Sequence, residues 1–464
     1  MEWLAPLMFL SLVVFLLLGY PVAFSLAANG LVFATLSIYL GLFDFSFLQA
    51  LPERIYGIAS NQTLLAIPFF TFMGLILERS GMAEDLLDTL GQLFGRVRGG
   101  LAYSVILVGA LLAATTGVVA ASVIAMGLIS LPIMLRYGYD KKLASGVIAA
   151  SGTLAQIIPP SLVLIVLADQ LGASVGDMYK GALHPGLILV GLFLLLVFFV
   201  SLFKPQATPA LPASARTLTS SRLASRILTS LLPPLVLIFL VLGTIFLGIA
   251  TPTEGGALGA TGALALAAIK GRLKLNILNQ SMDTTLKLTS FVIFILIGST
   301  VFSLTFRGLS GDLWVEGLFN HLPGGVIGFL IAVNILVFLL AFFLDFFEIA
   351  FIVVPILLPV ALKLGIDPIW FGVMLAVNMQ TSFMHPPFGF ALFYLKSVAP
   401  PEIRTTDIYW GAVPFLVIQL IVVGLVIGFP ELVGHHAQAV SSGVIEIPME
   451  SDAYGDFYLP KEWR

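Results

Sequence analysis

Two apolar stretches are each interrupted by polar residues and a proline pair, and these residues are the best placed in the chain to do chemistry. In the first, Ser151-Gly152-Thr153 precedes Gln156-Ile157-Ile158-Pro159-Pro160-Ser161; in the second, Asn378-Met379-Gln380-Thr381-Ser382 precedes Met384-His385-Pro386-Pro387. A proline has no N–H to donate and displaces the carbonyl one turn back, so each pair frees carbonyl oxygens from the helical ladder. Deep in a bilayer those oxygens need partners. A sodium ion is one, since carbonyls freed by unwinding commonly hold it in transporters. The other is a plain kink whose carbonyls are capped by Ser161 or Thr381. Two pairs in a common register, each after a polar cluster, favour the ion. Thr153, Gln156, Ser161, Gln380, Ser382 and His385 are the side chains expected to reach a solute, although a backbone carbonyl could equally hold His385.

Two other stretches, 101–135 and 325–363, are each about 35 residues long, too long for one crossing of a core that takes roughly 20. Near their centres lie Thr115-Thr116-Gly117 and, in the second, Asp345 and Glu348. A hairpin that enters the membrane and returns suits this pattern, provided protein or a water-filled cavity surrounds its tip. An acid inside an apolar run is a functional candidate, because an unpaired buried charge is costly. Asp345 would also make a good N-cap for the second arm. Glu254, in Thr251-Pro252-Thr253-Glu254, could be an ion pair, a gate or a partner contact, and Glu348 a gate or partner contact; the plainer reading makes Glu254 the third residue of an ordinary helix start.

Composition says what must position these groups. The chain of 464 residues is 59% hydrophobic and only 10% charged, far below the roughly 25% of a soluble domain. With no Cys there is no disulfide framework, and a net charge of −3 gives no reason to expect a nucleic-acid partner. No Gly-Lys dipeptide is present, so there is no P-loop; the five His form no helical metal pair, and no compact constellation suggests an enzyme. The N-terminus lacks the basic region of a cleavable signal, and the apolar run continues to about Phe43. Candidate spans are about 3–20, 22–43, 61–79, 145–168, 184–203, 227–250, 253–269, 286–306, 368–396 and 410–429. Lys204, Arg216, Arg222 and Arg226, with no acid among them, mark 204–226 as a flexible cytoplasmic linker, which leaves both termini outside.

The chain also repeats itself. Leu131-Pro132, Gly138, Asp140 and Pro159-Pro160 recur 227 residues later as Leu358-Pro359, Gly365, Asp367 and Pro386-Pro387. Asp177, Tyr179, Gly181 and Ala182 recur as Asp407, Tyr409, Gly411 and Ala412, at an offset of 230. With the linker inside, span 61–79 and its counterpart 286–306 run in opposite directions. The expected fold is therefore an all-α integral membrane protein, an inverted-repeat secondary transporter with two re-entrant helical hairpins and broken helices. Its layout is 1–60 N-terminal scaffold, 61–203 first repeat, 204–226 linker, 227–285 scaffold, 286–429 second repeat and 430–464 a soluble acidic tail.

Several motifs carry a resemblance: Leu64-Leu65-Ala66-Ile67-Pro68-Phe69-Phe70 with Gly74, Arg98-Gly99-Gly100, Pro159-Pro160-Ser161, Thr251-Pro252-Thr253-Glu254, Val354-Pro355, Gly365-Ile366-Asp367-Pro368 and Pro386-Pro387. The chain resembles, over nearly its whole length, the large (DctM-type) membrane subunit of tripartite ATP-independent periplasmic (TRAP) transporters. That resemblance implies a multi-pass protein of the bacterial inner membrane and sodium-coupled uptake of a small carboxylate: a 2-oxo acid, a dicarboxylate or an acidic amino acid such as glutamate. It implies a periplasmic solute-binding protein and a small DctQ-type membrane subunit as partners, an elevator-type movement of the hairpin-bearing core, and no cofactor beyond the coupling ion. By motif match, one sodium set is Thr115, Thr116 and Gly117 with Ser151, Gly152, Ile157 and Pro159. The other is Leu344, Asp345 and Phe346 with Asn378, Thr381, Met384 and Pro386. A stand-alone carboxylate or anion transporter, needing no binding protein, is the alternative.

Overall fold

The computed structural model describes residues 3–434 except 217–219, 321–322 and 343, with the side chains of Leu17, Thr115, Thr116, Ser220 and Asn320 also outside the description. The expected tail beyond Gly434 lies outside the described residues. Every described element is helical. The first half runs α1 Leu4–Leu17, α2 Val22–Tyr39, α3 Ala50–Ala59, α4 Ala66–Arg79, α5 Met82–Phe94, α6 Gly100–Thr116, α7 Val119–Arg136, α8 Lys141–Thr153, α9 Leu162–Gln170 and α10 Val175–Phe203. The second runs α11 Ser220–Arg226, α12 Leu232–Phe246, α13 Pro252–Ile269, α14 Leu275–Gly308, α15 Gly311–Asn320, α16 Gly325–Leu340, α17 Phe346–Lys363, α18 Pro368–Thr381, α19 Phe390–Val398 and α20 Thr405–Gly428.

The repeated residues reappear as repeated helix punctuation. Gly138 and Gly365 take the left-handed conformation just past α7 and α17, with φ of 81° and 71°. Two residues on, Asp140 accepts the Leu143 N–H at 3.0 Å and Asp367 that of Trp370 at 2.8 Å, capping α8 and α18. Element order repeats with them: α1–α2 match α12–α13, the bent pair α3–α4 matches the continuous α14, and α5 to α10 match α15 to α20.

Contacts set directions. Residues Gly30 and Thr305 meet through a hydroxyl-to-carbonyl bond of 3.1 Å, and Ala23 lies against Gly298, so α2 and α14 run the same way. Along α8 and α20, Lys142 meets Gly411 and Thr153 meets Gln419, again in parallel. By contrast α18 opposes α20, because the Trp370 indole donates to the Val426 carbonyl at 2.9 Å while Gln380 reaches the same Thr153 as Gln419. The equivalent helices α8 and α18 therefore point in opposite directions.

Among the described residues seven helical runs are long and apolar enough to cross a membrane, or eight when the pair Phe45–Ala59 and Thr63–Arg79, bent by 47°, is taken as one. This corrects the expectation of ten spans. The stretches 145–168 and 368–396 are each broken into two short helices, α1 has 14 residues, and α13 is diluted by Gly and Ala. Two of the seven, α7 and α17, are second arms of the stretches expected to be hairpins. Proline inside α17 is accommodated by α14. Pro355 frees the Phe351 carbonyl, which accepts from the Ser299 hydroxyl, and Pro359 frees the Pro355 carbonyl, which accepts from Arg307 at 3.4 Å.

The linker is another correction. Far from trailing as free chain, it is hydrogen-bonded by its backbone: Ala207 accepts from Asp140 N at 3.0 Å, Thr208 from Gly99 N at 3.0 Å, and Leu211 N donates to Gly95 at 2.9 Å. Arg226 pairs with Asp88 of α5. Leu211 and Thr208 bury against the ends of α5 and α6, and the flanking prolines limit the entropy lost on docking. At the same end of the bundle Asp85 accepts from Lys270 at 3.2 Å and Arg272 at 3.0 Å, and Arg272 also donates to the Ser80 and Gly81 carbonyls at 3.1 and 3.0 Å. Replacing Arg272 by Gln is expected to cost about 1–2 kcal/mol, since several charge-assisted bonds are lost from a half-buried site. A thermal midpoint in detergent checks this; an unchanged midpoint would show the cluster contributes nothing measurable.

Candidate functional site

The first predicted hairpin turns within two residues, whereas five separate the arms of the second. α6 closes at Gly117, left-handed with φ of 58°, and extended Val118 leads into α7. In repeat register, Leu344 and extended Asp345 lead into α17. Here the halves differ. Val118 offers no cap, whereas Asp345 and Glu348 form a reciprocal capping box: Asp345 accepts from Glu348 N and Glu348 from Asp345 N, both at 2.9 Å. The second arms each pack on halves of both broken helices, α7 on α8 and α19, α17 on α18 and α9. The two interruptions are thereby gathered between the two tips.

The helices do not break where expected. Ser151-Gly152-Thr153 and Asn378 to Thr381 stay helical, and the ladder ends only after them. Their hydroxyls turn back onto their own helices, Ser151 to the Val147 carbonyl at 2.6 Å and Thr381 to that of Asn378 at 2.6 Å. Both proline pairs contain a cis peptide bond. Of the carbonyls they free, Gln156 accepts from the Ser161 hydroxyl at 2.6 Å and Phe383 from Ala391 N at 3.1 Å. Those of Ala155 and Ser382, repeat equivalents 227 residues apart, accept no hydrogen bond among the described residues. At the prolines the repeated tyrosines act one residue apart in register: Tyr179 donates to the Ser161 carbonyl, just past its pair, at 3.5 Å and Tyr409 to that of Pro387, the second proline of the other, at 3.1 Å.

Between the tips lies a cavity of about 400 Å³. Gly117 to Ala120 form one side and Asp345 to Glu348 another; Leu162, Phe383, Phe390 and Tyr394 come from the break-flanking segments, and Leu288 and Phe291 from α14. Six of these are aromatic, and no Lys, Arg or His lines it among the described residues. Neither Asp345 nor Glu348 forms an ion pair among the described residues. Two carboxylates thus face an apolar chamber without a cationic side chain.

A family model for the DctM component of tripartite ATP-independent periplasmic transporters matches residues 9–432. The chain belongs to that family. It is similar to the C4-dicarboxylate TRAP transporter large permease protein DctM of Pseudomonas aeruginosa, at 33% identity over 84% of this chain and 89% of that one. It is also similar to the sialic acid TRAP transporter large permease protein SiaM of Vibrio cholerae, at 29% identity over 89% of this chain and 93% of the other. Among solved structures it shares a fold with the crystal structure of the Alcanivorax borkumensis YdaH transporter, with a TM-score of 0.56, 16% identity and coverage of 83% of this chain and 89% of that one. This DctM chain is thus a multi-pass permease component of a bacterial membrane transporter, not an enzyme.

Against that frame the predicted residues divide. Gly117, Asp345, Phe346 and Glu348 line the DctM cavity. Ser151, Thr153, Gln156, Ile157, Ser161, Asn378, Gln380, Thr381, Ser382, Met384 and His385 are all at most 1% exposed and are not among the residues that line it. Gly152 packs on Val123 of α7, Pro159 is buried, Leu344 is buried, and Pro386 is half-buried. His385 is held by aromatic faces, with Phe338 and Phe342 at centroid distances of 4.0 and 4.5 Å. Glu254 forms an exposed capping box with Thr251, accepting from its N–H at 2.8 Å. The side chains of Thr115 and Thr116 lie outside the described residues. Sequence reasoning missed Phe383, Phe390, Tyr394, Leu288 and Phe291, for which so apolar a chain offers no signal. It also missed Gln419, whose signal was present: it is the one polar residue in the 411–428 run of α20.

Proposed function

We propose that the chain is the membrane permease of a sodium-coupled, binding-protein-dependent uptake system for a small carboxylate. One observation carries the reading: among the described residues, two equivalent carbonyls, Ala155 and Ser382, are freed by the proline pairs and left without donors, in breaks whose flanking residues Leu162, Phe383 and Phe390 line a cavity that holds two carboxylates and no cationic side chain. A carboxylate solute entering that chamber is repelled unless a cation enters with it. Freed carbonyls are suited to a sodium ion, and side-chain oxygens of the Ser151 and Asn378 segments stand close behind them in sequence. Coupling then follows from charge balance alone.

The opposed directions of α8 and α18 support an inverted repeat, with α6–α7 and α16–α17 as its re-entrant hairpins. Hairpins and broken helices supply most of the cavity wall and α14 the rest, an arrangement that suits an elevator in which the former slide past a scaffold. A tripartite family implies two partners, a small DctQ-type membrane subunit and a periplasmic solute-binding protein. The names of its relatives, a C4-dicarboxylate and a sialic acid permease, both point to carboxylate solutes. A 2-oxo acid, a dicarboxylate or an acidic amino acid such as glutamate fits that class.

Reconstitution of the permease with its small subunit tests the reading, with radiolabelled acids supplied on the binding protein under an inward sodium gradient. Uptake is expected only when binding protein and gradient are both present. Equal uptake without the binding protein would favour a stand-alone transporter, and equal uptake in potassium would remove sodium from the scheme.

A further inference from the structure

The two helix breaks are joined by a three-way junction of Thr153, Gln380 and Gln419, none of which lines the cavity. Thr153 and Gln380 hold the same position in the two repeats, 227 residues apart, and bond to each other, the Gln380 amide donating to Thr153 Oγ1 at 3.1 Å. Gln419 of α20 donates to the same oxygen at 3.1 Å. The Thr153 hydroxyl donates in turn to the Ala150 carbonyl at 2.8 Å, so its oxygen is committed to accepting and both amides must present their NH₂ groups to it. All three side chains are 0% exposed, and the Oε1 of each glutamine has no donor among the described residues. A buried amide with an unmet acceptor is poor for stability, which argues that the contact is kept for what it connects. It connects the last turn of α8, the last turn of α18 and the middle of α20. The counterpart of Gln419 in the first repeat, at the 230 offset, is Leu189, so the junction is one-sided and Gln419 alone completes it.

We propose that Gln419 is a positioning residue that locks the two helix breaks into one unit, so that a cation bound at either half is felt at the other. The proposal rests on the sodium-coupled reading above. Because the chain has no native Cys, single reporters can be placed on each half at the cavity wall, Ala120→Cys on the first tip and Tyr394→Cys after the second break. Maleimide labelling of the purified permease is followed against sodium chloride, with choline chloride holding ionic strength constant. With the junction intact, both reporters should change reactivity at one shared sodium midpoint. Gln419→Leu and Thr153→Val should part the two midpoints by about five-fold or more, while Thr153→Ser, which keeps the hydroxyl, restores a shared one. A shared midpoint in monodisperse Gln419→Leu and Thr153→Val would overturn the proposal. So would failure of both variants to assemble, which would make the junction a folding element. If neither reporter responds to sodium with the junction intact, the sodium-coupled reading itself fails, and the proposal with it.

Discussion

Gly411→Ala is expected to cost most of the folded, active permease. At this crossing α8 and α20 touch backbone to backbone: a Cβ on Gly411 would land on the Lys142 carbonyl, and one on Gly146 would land on the carbonyl of Gly411. Neither obstacle is a side chain that can swing away, so the helices must separate. Overpacking of a core typically costs about 1–3 kcal/mol, and a main-chain collision sits at the upper end of that range. Separation would also draw Gln419 off Thr153, two turns further along the same pair of helices. The thermal midpoint should fall sharply and uptake by at least about ten-fold, the equivalent of 1.4 kcal/mol in a barrier. Gly191→Ala is the control, because nothing surrounds that position within 4 Å. Equal losses at both positions would point to a general intolerance of substitution.

Asp345→Asn should nearly abolish sodium-driven uptake while leaving the protein intact. Asp345 does two jobs at once, capping α17 through Glu348 N at 2.9 Å and presenting charge to the cavity. Asparagine caps a helix about as well as aspartate, so this change removes the charge and spares the cap. Alanine removes both and should add about 1 kcal/mol of destabilisation. Uptake in vesicles should drop at least about ten-fold for either variant, with only Asp345→Ala also lowering the thermal midpoint. Normal sodium-dependent uptake by Asp345→Asn would reduce the residue to a helix cap.

Much of this molecule was legible residue by residue. Asp345 was recognisable as a helix start, and Gly138, Asp140, Gly365 and Asp367 stood out as repeated residues whose punctuating role, stop then cap, is a local event that needs only a few neighbouring residues. The proline pairs announced breaks for the same reason. Their exact onset was misjudged, since Ser, Thr and Asn hydroxyl and amide groups can bond back to their own helix and leave it intact, as Ser151 and Thr381 do. The repeat of period 227 was visible in the spacing of those same punctuating residues.

Other features had no local cause. Nothing in the 204–226 composition foretells that Leu211 and Thr208 find a berth against α5 and α6, because a polar, proline-rich stretch docks only when a matching surface arrives from elsewhere. The same holds for the aromatic wall of the cavity and for Thr153 meeting both Gln380 and Gln419. Sequence by itself determined a greasy, twice-repeated helical membrane protein with paired interruptions, since hydropathy, proline and glycine act over a turn or two. Tertiary structure alone decided which side chains face the cavity and which face each other, because that depends on the direction and closeness with which helices far apart in the chain cross.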